Sequence, residues 1–175
     1  MTQQAAARRI SDLVAELNEL KKTLVRITAN TSQSQAYLAE DLAMRTIQTE
    51  FNTPVRRQVT GGRDGGFDGV FESNGHVQIV EVKYIGKRAP PGETAVRIKE
   101  SILRIQRDAS KYGWTASEII LVAVFASTEV PPEHQRAIEA MCREVGRVAP
   151  RFYTLGRLKR QWGMDSEDWD DKIYS

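Results

Sequence analysis

The chain has 175 residues, 41% hydrophobic and 27% charged, with a net charge of +2. That suffices for one domain with a real core plus an appendage, in the proportions of a water-soluble protein. No apolar run approaches the roughly 20 residues of a membrane span, and the N-terminus lacks a signal-peptide core.

Cys142 is the only cysteine, and His76 and His134 are the only histidines, far apart in sequence. An intrachain disulfide and a cysteine zinc site are excluded, and a histidine-rich metal centre or a Ser-His-Asp triad is disfavoured. What is left is a metal with oxygen ligands and a cytoplasmic setting. The net charge is small but unevenly spread. Residues 147–161 hold five basic side chains and no acids, and residues 165–171 hold five acids and no bases. A basic stripe suits a nucleic-acid partner, but charge alone favours the plainer reading of a solvated surface with an acidic tail.

Residues 5–29 read as one helix. Ile10, Leu13, Leu17, Leu20, Leu24 and Ile27 recur at spacings of 3, 4, 3, 4 and 3, an a/d heptad seam. An isolated helix of this length is marginal in water, so the seam needs a partner. Two options stand: self-association as a coiled coil, or folding back on the domain. The narrow stripe and polar flanks favour a homodimer. Residues 1–32 are therefore expected to be a coiled-coil appendage, and residues 33–175 the globular domain.

A second helix spans 34–51, with Tyr37, Glu40, Met44, Ile47 and Phe51 along one face and Leu38 and Leu42 beside them. Glu40 is the exception on that face. Thr53-Pro54 ends the helix, and Val55–Val59 reads as a first strand. Residues 61–66 form a glycine-rich loop in which Arg63 could meet a phosphate and Asp64 is a competing carboxylate. No G-K-[ST] follows, so it is not a P-loop.

Residues 67–84 read as a β-hairpin. Asn74-Gly75 is the pair best suited to a two-residue type I′ turn. With that turn, Ser73 faces His76, Phe71 faces Gln78, Val70 faces Ile79, and Asp68 faces Glu81. Lys83 joins the same face by the two-residue period. Opposed residues have Cβ atoms roughly 4.5–5.5 Å apart, and like charges placed so are destabilising. A hard divalent cation resolves the conflict, because such ions take oxygen ligands and are held by one or two carboxylates plus substrate phosphates. The other resolution is a salt bridge, with Lys83 neutralising both acids.

A third helix over 93–112 buries Ala95, Ile98, Ile102, Ile105, Ala109 and Tyr112. Gln106 is expected at its surface, and Arg97 and Arg104 on its other faces. Glu118–Phe125 is a near-continuous apolar run, expected as a central strand covered on both faces. A fourth helix spans 132–145 with Cys142 inward, and a last strand 151–155. Trp114, Trp162 and Trp169 are expected to pack rather than to stack bases.

Asp68 followed by Glu81-Val82-Lys83 resembles the D…(D/E)-x-K signature of the PD-(D/E)xK nuclease superfamily. Phe67 stands where the family name has proline. The element order helix, three strands, helix, strand matches that family's core. The resemblance implies an α/β, restriction-endonuclease-like αβββαβ core with a mixed sheet over roughly 34–155, preceded by the coiled-coil helix. It implies a magnesium-dependent nuclease, with manganese able to substitute, acting on nucleic acid and most readily DNA. By resemblance Asp68, Glu81 and the backbone carbonyl of Val82 hold the metal, and Lys83 orients or deprotonates the attacking water. Glu40 either reaches the metal or is a boundary glutamate. Arg63, Arg97 and Arg104 are candidates for gripping phosphates. The alternatives are a nucleic-acid-binding module without turnover and a coiled-coil adaptor.

Overall fold

The computed structural model describes residues 3–29, 32–57, 66–114 and 117–164. Ten elements follow in chain order: α1 (Gln3–Ala29), α2 (Ser32–Phe51), β1 (Arg56–Arg57), β2 (Gly69–Ser73), β3 (His76–Ile85), α3 (Pro91–Lys111), β4 (Glu118–Phe125), α4 (Pro132–Val145), β5 (Val148–Thr154) and α5 (Leu155–Gln161). The chain divides into two compact units, Met1–Tyr37 and Leu38–Ser175. Among the described residues, no helix is long and apolar enough to cross a membrane.

The first unit is dominated by α1. Its apolar side chains Ile10, Leu13, Val14, Leu17 and Leu20 are 52–67% exposed.

The second unit is an α/β fold on a mixed five-stranded sheet of order β1-β2-β3-β4-β5. β1, β2 and β3 run antiparallel, and β3, β4 and β5 parallel. The expected hairpin is present. Asn74 and Gly75 both take positive φ, 52° and 77°, as a type I′ turn demands. The register pairs Ser73 with His76, Phe71 with Gln78 and Val70 with Ile79.

β4 is an interior strand between β3 and β5, not the middle one of the five, and is buried from Ile119 to Phe125. Its alternate residues feed two cores. Ile119, Leu121, Ala123 and Phe125 pack with Ile79, Ile98, Ile102, Ile105 and Ile138, under α3 and α4. Ile120, Val122 and Val124 pack with Leu42, Met44, Ile47, Val80 and Leu158, under α2 and α5. Both crossover helices therefore lie on one face of the sheet, as successive parallel strands laid in one direction require when crossovers keep one hand.

Several expectations need correction. Only Arg56–Arg57 of the first strand is paired among the described residues; residues 58–65, with Arg63 and Asp64, lie outside them. Tyr37 is 65% exposed, because α2 centres its buried stripe on Ala39, Leu42, Ala43 and Ile47. Tyr112, also 65% exposed, follows the last turn of α3 and packs its ring against Trp114 at 5.2 Å. Gln106 is half-buried and donates from Nε2 to the Gly146 carbonyl at 3.1 Å, tying α3 to the α4–β5 turn. The last strand begins earlier than expected, and α5 takes over at Leu155. Trp162 packs at the second core and donates from Nε1 to Thr46 Oγ1 at 3.2 Å. Trp169 and the acidic run 165–171 lie outside the described residues.

Candidate active site

The site forms where the hairpin stops being a hairpin. The ladder between β2 and β3 ends at Gly69↔Val80, one pair short of Asp68 and Glu81. In an antiparallel ladder, residue pairs alternate between hydrogen-bonded and non-hydrogen-bonded. Counted from Ser73↔His76 beside the turn, the next hydrogen-bonded pair past Gly69↔Val80 would be Phe67 with Val82. Phe67 instead leaves the strand and buries its ring in the first core, 5.7 Å from that of Trp114. Asp68 takes the vacated place: its Oδ2 accepts the Val82 N–H at 2.7 Å. The carbonyl of Val82 lies on the same edge of β3 as its N–H, so it faces the gap that β2 leaves.

Glu81 and Lys83 project together from β3. Lys83 Nζ meets Glu81 Oε1 at 2.6 Å, and Glu81 is only 3% exposed. Its second oxygen, Oε2, is buried without a hydrogen-bond partner. Burial, then the neighbouring Asp68 charge, push the Glu81 carboxyl up to about 7; Lys83 and Arg104 oppose the shift. Asp68 is also raised, chiefly by burial. The Val82 N–H and then Lys83 pull it back. The two acids are thus neighbours, as the hairpin register anticipates, although Asp68 curls onto the backbone of β3 rather than standing opposite Glu81 in the ladder.

Glu40 on α2 is half-buried, and its pKa is raised by burial and then by Asp68. Among the described residues, no three His, Cys, Asp or Glu side chains converge into a metal site. The donor set is two carboxylates and a carbonyl. All are hard oxygens, acid is in excess over the single contacting lysine, and one buried oxygen is unmatched. That set fits a cation such as magnesium, which keeps several of its waters and takes few protein ligands.

Arg104, half-buried on α3, feels Glu81 and has its Nε buried without a partner. Glu81 Oε2 and Arg104 Nε are the two such side-chain atoms among the described residues, of opposite charge and within each other's field. Arg97 is 76% exposed at its side chain and already paired with Glu93 one turn earlier. The basic stripe is likewise partly engaged: Arg151 binds Glu50 at 2.8 Å, and Arg157 lies over the Tyr153 ring.

One neighbouring feature is not visible from motif spacing. Arg56 pairs with Val70, which pairs with Ile79, in the row next to Asp68 and Glu81 on the same face of the sheet. A cavity of about 460 Å³ opens there, lined by Arg56, Arg57, Val70, Phe71, Glu72, Val77 and Trp114. Arg57 is held by Asp41 at 2.7 Å, whereas Arg56 has no side-chain partner among the described residues. The Arg56-Arg57 doublet was the available signal, but only strand pairing sets Arg56 opposite Val70, two residues after Asp68.

No protein-family model, no curated protein and no solved structure matches this chain.

Proposed function

We propose that this chain is a magnesium-dependent nuclease of the PD-(D/E)xK type with a restriction-endonuclease-like core, acting on DNA. The observation that carries the reading is the junction of Asp68 and Glu81 at the frayed end of the hairpin, with Lys83 on one Glu81 oxygen and the other buried and unmatched. The order α2, β1-β2-β3, α3, β4, with an antiparallel half and a parallel half in one sheet, supports the fold assignment.

Asp68, Glu81 and the Val82 carbonyl would hold the cation. A bound divalent cation lowers the pKa of water and offsets charge developing on phosphate oxygens. Glu81 must be ionised to bind, and Lys83 favours that form. The Lys83 ammonium also stands where it can orient an attacking water and stabilise charge on the phosphate. Arg104 supplies a second fixed positive charge from α3. Arg56 and the Trp114 cavity give the nucleic acid a place beside the scissile phosphate.

A second reading rests on the short Lys83–Glu81 contact: an ion pair that supports a binding module without turnover. The deciding experiment is cleavage of a mixed panel (linear duplex, nicked plasmid, single strand, four-way junction, RNA) with magnesium, manganese or chelator. Cutting that chelator abolishes and Lys83→Ala lowers by about a hundredfold or more supports the nuclease. DNA retarded in a gel without cutting supports the binding module. Neither result would end both readings.

A further inference from the structure

α1 presents five large apolar side chains at 52–67% exposure: Ile10, Leu13, Val14, Leu17 and Leu20. Water does not favour an isolated helix with such a stripe, so something covers it. Charge decides what, and in which direction. With Ile10 and Leu17 at heptad position a, and Leu13 and Leu20 at d, Glu16 falls at g, and Val14 and Lys21 at e. In a parallel, in-register pair, g of one helix lies beside e of the next heptad in its partner. Glu16 then meets the partner's Lys21, and symmetry makes the contact twice. In an antiparallel pair, g meets g and e meets e. With Leu17 set against Leu20, Glu16 would face Thr23 and Lys21 would face Val14, and no ion pair forms. Neither Glu16 nor Lys21 has an ion-pair partner among the described residues, so both are available.

We infer that α1 joins two copies of this chain as a parallel, in-register coiled coil, closed by reciprocal Glu16–Lys21 pairs. Arg9, also at g, lies beside the partner's Val14 and covers it with its methylene stem. Leu24 and Ile27 continue the spacing in the sequence. Two nuclease domains would be tethered on the same end of one stalk. The dimer itself does not depend on the nuclease reading.

The test measures the mass of the full chain in solution, with variants. Wild type is expected at twice its 19.7 kDa. Leu17→Asp with Leu20→Asp should return it to 19.7 kDa while the thermal transition of the α/β domain persists, since both residues are exposed. Glu16→Lys and Lys21→Glu should each weaken dimerisation roughly tenfold, and the double swap should restore it. Leu17→Cys should form an interchain disulfide under mild oxidation, because equivalent a positions meet only in the parallel pairing; the wild type, with only buried Cys142, should not. A monomeric wild type, a trimer, or a dimer indifferent to the seam variants would overturn the inference. So would a dimer that loses nothing on single charge reversal or fails to cross-link through position 17.

Discussion

Glu81 holds opposing demands in one side chain. It is nearly inaccessible, shares its surroundings with Asp68, and has one oxygen on Lys83 and one on nothing. Its carboxyl is raised from 4.5 to about 7, so between those values the folded protein keeps a proton that the unfolded chain has lost. Folding stability therefore falls as pH rises through that window. Glu81→Gln cannot titrate and should escape the fall. Urea unfolding should find the variant close to wild type at pH 5 and more stable by about 1–3 kcal/mol at pH 8; parallel pH profiles would refute the assignment. Binding of the proposed cation would run the other way, because it needs the ionised form. Magnesium should raise the melting temperature more at pH 8 than at pH 5.5. Asp68→Asn should remove that increment.

At the scale of elements, the position of Asp68 depends on Gly69. A Cβ at Gly69 would stand 2.6 Å from Val55 Cγ1 and 3.0 Å from Met44 Cε, so the side chains of Val55, just past α2, and of Met44 on α2 pack directly on the β2 backbone there. Gly69→Ala should push the strand away and cost about 1–3 kcal/mol, measured by denaturant unfolding. The residue displaced with it is Asp68, whose 2.7 Å bond to Val82 N is the geometry the site requires. The loss of cleavage by Gly69→Ala should therefore exceed what its stability loss explains at a temperature where it stays folded. Arg56→Ala, on the neighbouring strand, should raise KM for DNA several-fold with kcat little changed. Such a pattern marks a group that grips substrate without joining the chemistry.

For the whole molecule, the proposed nuclease and the inferred dimer combine into one expectation. Two tethered sites can cut both strands of a duplex in one encounter. Wild type should convert supercoiled plasmid to linear with little nicked intermediate, and Leu17→Asp with Leu20→Asp should accumulate nicked circles. Equal product ratios in the two proteins would separate the dimer from the chemistry.

Much of this was legible in local chemistry. The Asn74-Gly75 turn set the hairpin register through Val70 and Ile79, because a two-residue turn leaves one pairing open. The apolar run of β4 announced a strand covered on both faces, and the 3,4 spacing near the N-terminus announced one long helix, α1. Sequence alone could not foresee that β2 ends one pair early, since that depends on where Phe67 finds a core and how close α2 comes to Gly69. Nor could it place Tyr112 outside, Gln106 against Gly146, or Arg56 opposite Val70. Periodicity reports which face of an element is apolar. Which residue at an element's end is buried, and which charge meets which across strands far apart in sequence, follows only from the packing of the sheet between its two helical layers.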